Sequence, residues 1–163
     1  MPLQEVEGDI LLSDAQALAH GIAPNDHFTQ GLALALRERR PSLPKDFHHY
    51  CHLNHPKPGG AWVWAGVQGR TIINLMTQEE ALSHNQPPGK AKTQYVNHAL
   101  KELRKIIEKK NIESIALPKL ATGVGGLEWS DVRPLIEQHL GDLDIPVILY
   151  TTYVAGKKAA EKL

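Results

Sequence analysis

The sequence predicts one three-layer α/β/α domain built on a mostly parallel six-stranded sheet. Three observations point to it. Apolar runs of strand length alternate with stretches of helical period along the whole chain. Several of those runs lack the polar alternation of a sheet with one wet face, so they are expected to be buried on both faces. The chain has 163 residues, which fits one domain with a single sizeable core.

In chain order, Leu3 to Asp9, Ala15 to Ile22, Ala61 to Gly66, Thr71 to Met76, Ser114 to Pro118 and Pro146 to Thr151 read as the strands. Gly31 to Arg40 reads as a helix stopped by Pro41. Lys92 to Lys110 carries Tyr95, Val96, Ala99, Leu100, Leu103, Ile106 and Ile107 on one stripe of period 3.6. A third helix bears Val132, Leu135, Ile136 and Leu140, with Ser130 as its expected N-cap and Pro134 removing one donor from its first turns. The Pro/Gly/His-rich stretches Ser42 to Gly60 and Ser83 to Lys90 read as loops. Residues 1–163 are expected to form one domain, with a core of about 3–151 and a short C-terminal tail, 152–163, whose basic stretch Lys157 to Lys162 reads as a frayed terminal helix.

Composition narrows the partners. Eighteen basic residues balance eighteen acidic ones, so no global field favours nucleic acid or an anionic membrane, and an anion must be held by local geometry. No apolar run approaches the roughly 18 residues of a membrane span, so no membrane partner and a cytoplasmic location are expected. The single cysteine, Cys51, excludes an intrachain disulfide and fits a reducing compartment.

The stretch LPKLATGVGGLEW, residues 117–129, leaves a buried strand, crosses a small-residue loop and enters a helix. That is a βα turn at the carboxyl edge of a parallel sheet, where open α/β folds bind ligands. Thr122, Gly123, Val124, Gly125 and Gly126 can aim several backbone N–H groups at one spot, a nest suited to a diphosphate. A tight turn with no ligand is the competing reading. No Gly-Lys-Ser/Thr follows, and the GxGxxG spacing is absent, which excludes a P-loop and a Rossmann turn. A second loop, Ala19 to Ala33, also follows a buried strand and runs into a helix, so its last N–H groups form another anion-friendly edge. Glu7-Gly8-Asp9-Ile10 puts a carboxylate just after the first strand, placed to accept from an exocyclic amine.

Together these segments resemble the macrodomain family, over essentially Leu3 to Thr151. Ala19-His20 with Gly31-Leu32-Ala33, and Leu117-Pro118 with the run from Gly125 to Val132, are similar to the branch of terminal ADP-ribose glycohydrolases and DNA-ADP-ribosyl antitoxins. The resemblance implies a mixed, mostly parallel sheet and an ADP-ribose site. Gly8, Asp9 and Ile10 would hold adenine, with Tyr150 near that pocket. His20, Gly21, Asn25, Phe28, Thr29, Gln30, Gly31 and Leu32 would form the ribose-contacting loop. Pro118, Ala121, Thr122, Gly123, Val124, Gly125 and Gly126 would form the diphosphate loop. Phe28 and Tyr150 also have core-packing readings. The implied partners are ADP-ribose and mono-ADP-ribosylated macromolecules, with nucleic acid only as an ADP-ribosylated substrate, and the protein is expected to be a monomer without a cofactor.

The sequence departs from that branch at the chemistry. The resemblance implies a lysine just after the fourth strand and a carboxylate in the diphosphate loop, and Gln78 and Gly125 stand at those positions. A glutamine amide cannot form the covalent adduct of a lysine amine, so an enzyme here must activate water. Asp26 and His27 are the candidate catalytic groups, with Gln78 orienting water or the substrate carbonyl. The alternatives are that Asp26 and His27 cap the following helix or face solvent, and that Gln78 is ordinary strand-end polarity. The expected function is therefore a mono-ADP-ribosyl hydrolase that removes ADP-ribose from modified acidic side chains by activating water; the alternatives are a non-catalytic reader of mono-ADP-ribosylated protein and an enzyme acting on ADP-ribose 1″-phosphate or ADP-ribosylated nucleic acid. His48, His52 and His55 would share one helical face beside Cys51, but no second Cys/His segment accompanies them, so no metal is expected.

Overall fold

The computed structural model describes residues 3–66, 70–83 and 85–163. Its elements are β1 (Gln4–Gly8), a 3-10 turn (Ile10–Leu12), β2 (Ala17–Ile22), α1 (Gly31–Arg39), α2 (Ser42–Asn54), β3 (Ala61–Ala65), β4 (Thr71–Met76), α3 (Thr93–Lys110), β5 (Ile115–Pro118), α4 (Trp129–Leu140) and β6 (Val147–Tyr153). They build one six-stranded sheet in the order β1-β6-β5-β2-β4-β3. Every pairing is parallel except the antiparallel one between β3 and β4. The sheet is therefore mixed and mostly parallel, as expected.

Strand periodicity decides the two layers that cover it. Ala17 and Ala19 of β2 and Ile73 and Leu75 of β4 pack with Val96, Leu100 and Leu103 of α3 and with Val132 and Ile136 of α4. Leu18 and Ile22 of β2 and Ile72 and Met76 of β4 point the other way, to Leu36 of α1 and Leu43 and Phe47 of α2. Residues adjacent in sequence thus serve opposite cores.

Three expectations are corrected. Residues 42–54 form α2, not a loop: Leu43, Phe47 and Cys51 recur every fourth position and are buried, a stripe that the surrounding histidines obscured. His48, His52 and His55 lie exposed. Helix α4 begins at Trp129 with Glu128 as its N-cap, so Ser130 lies inside it. The segment after β6 is no frayed helix. It has no regular secondary structure, but it packs on the domain: Ala159 is buried, Val154 N–H bonds to the Gly8 carbonyl (3.0 Å), and Gln4 and Lys162 exchange two hydrogen bonds of 2.8 and 2.9 Å.

Candidate functional site

The parallel strands β2, β5 and β6 bring the loops that follow them to one edge of the sheet, and two clefts open there. The first, of about 260 Å³, lies between residues 20–33 and 118–125, with Gln78 and Pro88 also in its wall. The second, of about 420 Å³, is walled by Ile10, Leu11, Leu32, Ala35, Tyr150 and Tyr153. Both are bounded by Gly31, Leu32 and Pro118, so they adjoin along the start of α1 and the end of β5.

The loop before α1 is folded by Asp26. Its carboxylate accepts from Ala23 N–H (3.0 Å) and Phe28 N–H (2.9 Å), closing turns in which Asn25 and Phe28 take φ of 56° and 58°. Asp26 therefore caps its own turn, not the helix. Gln30 is the N-cap of α1 and makes no side-chain cap bond, so the first N–H groups of α1 are uncapped where Gln30 to Ala33 line the first cleft. An uncapped helix start presents orphan donors and the positive end of the helix dipole, which suits an anion.

The facing loop supplies more bare backbone. Gly126 N–H is spent on the Gly123 carbonyl (3.1 Å) and Leu127 N–H on Ala121 (3.0 Å). Among the described residues, the N–H groups from Thr122 to Gly125 have no such bond, and they are the donors left for a ligand. Two of the glycines differ in kind. A Cβ on Gly123 would meet nothing within 4 Å, whereas one on Gly125 would lie 2.6 Å from the Ala121 carbonyl oxygen and 2.8 Å from Ala91 Cβ. Gly125 is needed for the turn itself; Gly123 is open towards the cleft it lines.

At the floor, His20 is buried and its Nε2 lies 2.7 Å from Asn74 Oδ1. Burial holds its pKa below the ordinary histidine value, against the Asn74 bond and the Asp26 charge, which raise it. Its Nδ1 has no partner among the described residues. Gly21 is small because Thr77 Oγ1 would lie 2.8 Å from a Cβ there. Gln78 is buried in the wall and donates to the Gly89 carbonyl (3.1 Å), while Glu79 accepts from Tyr95 (2.5 Å) and pairs with Lys92 (3.2 Å). These bonds tie the chain after β4 to the segment before α3.

On the second cleft, Tyr150 donates from its hydroxyl to Glu161 (2.7 Å), and burial together with that bond pushes its pKa up. Asp9 is buried next to Ile10 and Leu11. Its two oxygens accept from Leu11 N–H and Gly156 N–H, each at 3.0 Å.

Of the residues expected from sequence, His20, Gly21, Asp26, Thr29, Gln30, Gly31, Leu32, Gln78, Pro118, Ala121, Gly123, Val124 and Gly125 line the first cleft, and Ile10 and Tyr150 line the second. Gly8, Asp9, Asn25, His27, Phe28, Thr122 and Gly126 line neither. Phe28 is fully buried between the rings of His20 and Phe47, a core position. Asn25 donates to Glu80 (2.5 Å), Thr122 to the Lys119 carbonyl (2.9 Å), and His27 is exposed. Sequence reasoning missed Leu11, Ala33, Ala35, Pro88, Lys119, Leu120 and Tyr153. Tyr153 was within reach, since β6 extends two residues past the expected end. Ala35 follows from its place four residues after Gly31 and three after Leu32 on α1.

Comparison with known proteins agrees with this geometry. The family described as Macro domain matches residues 24–136. A DNA ADP-ribosyl glycohydrolase of Mycobacterium tuberculosis is 29% identical over 158 residues, covering 94% of this chain and 43% of that protein. The human ADP-ribose glycohydrolase OARD1 is 24% identical, covering 90% of this chain and 89% of that protein. The solved macrodomain of Thermus aquaticus DarG superposes with a TM-score of 0.79 at 28% identity, over 91% of this chain and 97% of that one. Thermosipho africanus DarTG in complex with ADP-ribose gives 0.79 at 23% identity, over 97% and 43%. The chain spans about two fifths of the length of the DNA ADP-ribosyl glycohydrolases that it matches.

Proposed function

The chain belongs to the macro domain family, and from that premise we propose that it binds ADP-ribose across the two adjoining clefts and hydrolyses an ADP-ribosyl bond on a modified acidic side chain. The observation that carries the reading is the pairing of the clefts. One is walled mainly by apolar and aromatic side chains and fits adenine; the other sets an uncapped helix start against a loop of free N–H groups and fits the diphosphate. The neutral net charge is no obstacle, because these donors are backbone.

In the hydrolysis, a water oxygen bonds to the anomeric carbon, the bond from that carbon to the carboxyl oxygen breaks, and the water loses a proton. Asp26 and Gln78 are the expected catalytic residues that line the cleft; the Asp26 carboxylate is assigned to receive the water's proton and the Gln78 amide to orient the water. The protein would act as a cytoplasmic monomer. Among the described residues, no helix is long and apolar enough to cross a membrane.

A second reading, a reader of ADP-ribosylated protein, is favoured by Gln78, whose amide is engaged with Gly89 where the branch has a lysine. A third takes modified DNA as substrate, by analogy with the DNA ADP-ribosyl glycohydrolase of Mycobacterium tuberculosis. Calorimetry with ADP-ribose, followed by turnover assays on automodified glutamate, ADP-ribose 1″-phosphate and ADP-ribosylated DNA, separates them. Tight binding with no turnover of any substrate selects the reader; no ADP-ribose binding removes all three.

A further inference from the structure

The residues after β6 are bonded and packed onto the side of the domain that carries the second cleft. Asp9 N–H donates to the Lys157 carbonyl (2.7 Å), and Gly156 N–H donates back to the Asp9 carboxylate (3.0 Å). Ala159 lies so close over Gly8 that a Cβ on Gly8 would stand 2.9 Å from Ala159 Cβ and from the Lys157 oxygen. Farther along, Glu161 accepts from Ser13 Oγ (2.6 Å), Asp14 N–H (2.9 Å) and the Tyr150 hydroxyl (2.7 Å). Lys158 pairs with Asp14 at 2.7 Å. One short segment therefore holds the buried carboxylate that precedes Ile10 and the hydroxyl of Tyr150, and Ile10 and Tyr150 both line the second cleft.

We propose that residues 154–163 are a positioning element for purine recognition, setting the Asp9 carboxylate in one orientation so that its remaining lone pairs meet an exocyclic amine. The proposal rests on the ADP-ribose reading above and adds the residues that decide selectivity. Each carboxylate oxygen carries two acceptor sites, and the bonds from Leu11 and Gly156 use one on each, so the plane of the group is fixed while acceptor capacity remains. Without Gly156, the Oδ2 oxygen loses its fixed donor and the carboxylate turns to find water. Recognition of the amine then has to include the cost of ordering that group again.

The test is selectivity between ADP-ribose and inosine diphosphate ribose, which replaces the amine by a carbonyl oxygen that Asp9 repels. Calorimetry would compare the full chain with a deletion of residues 155–163 and with Glu161→Ala, which keeps the chain length and frees Ser13, Asp14 and the Tyr150 hydroxyl from the segment. The expected result is at least a tenfold loss of ADP-ribose affinity in the deletion and a smaller loss in Glu161→Ala. Affinity for the inosine analogue should stay within about twofold, so the selectivity ratio falls. If both ligands weaken equally, or neither weakens, in a variant with an unchanged circular dichroism spectrum, the segment is only structural and the proposal fails. If the full chain binds no ADP-ribose, the functional reading fails and takes the proposal with it. Should the deletion not fold, the same ratio read from Glu161→Ala decides: an unchanged ratio overturns the proposal and a lowered one supports it.

Discussion

His20 Nε2 meets Asn74 Oδ1 at 2.7 Å, and Asn74 Nδ2 in turn donates to the Trp62 carbonyl at 3.2 Å. The three residues stand in register on β2, β4 and β3. Because the Asn74 amide nitrogen is committed to Trp62, its oxygen faces the ring, so the neutral imidazole carries its proton on Nε2.

A pH dependence of stability follows. Burial lowers the folded-state pKa of His20 below 6.5, so below that pH the unfolded chain binds the extra proton first. The contribution is complete above about pH 6.5 and is lost as the pH falls from there towards the lower folded value. The melting temperature should therefore drop between pH 7 and pH 5, and His20→Gln should make the drop shallower. His139, also held low by burial and by Arg104 and Lys101, supplies part of the remaining slope. An identical slope in wild type and His20→Gln would show that His20 does not titrate differently in the two states.

The two glycines of the facing loop should separate ligand contact from turn geometry. Gly123→Val fills open space over the free N–H groups, so ADP-ribose affinity should fall at least tenfold with the melting temperature within about two degrees. Gly125→Val collides with the Ala121 backbone and with Ala91 and should cost about 1–3 kcal/mol of stability, read by denaturant unfolding. If Gly123→Val bound normally, the loop would be a plain turn.

The contrast shows what the sequence could disclose. The strands and α3 were legible because a buried parallel strand and a 3.6-period stripe each have their own apolar signature, as in Thr71–Met76 and in Val96, Leu100 and Leu103. Helix α2 was not, because its three buried residues sit among histidines and other polar groups. The loops on the ligand edge were legible from their glycines, but the division of labour between Gly123 and Gly125 depends on Ala91, far off in sequence. Phe28 was expected at the ribose from the family resemblance, with core packing as its competing reading. Its positive φ turns it instead into the core beside Phe47. No sequence pattern announces that Gly156 bonds Asp9, since the contact spans 147 positions and its donor is a backbone N–H.

Asp9→Asn tests the adenine contact directly. The substituted amide gives a donor where the adenine amine needs an acceptor, so ADP-ribose affinity should weaken by about 1.5–3 kcal/mol, the usual scale for a hydrogen bond to a charged group. Titration calorimetry reads the change. Unchanged affinity in a folded variant would remove Asp9 from recognition and leave it as the clamp between Leu11 and Gly156.

Catalysis is tested last, through Gln78, Asp26 and His27. With an amide at residue 78, turnover should pass through no covalent enzyme adduct, so borohydride should trap no protein-linked ADP-ribose during active hydrolysis. Asp26 lines the cleft, and each of its oxygens keeps an acceptor site beyond the bonds to Ala23 and Phe28, so it can still receive a proton from water. Asp26→Asn should lower kcat by roughly 10²-fold or more, with ADP-ribose affinity within a few-fold. His27 is exposed and lines neither cleft, so His27→Ala should leave kcat within about threefold, well short of the loss expected for a positioned base. A large loss in His27→Ala with Asp26→Asn unaffected would reverse the two assignments and require the 23–30 loop to close over the ligand. A trapped adduct would overturn the water mechanism whichever variant is active, because it requires a nucleophile that Gln78 cannot be.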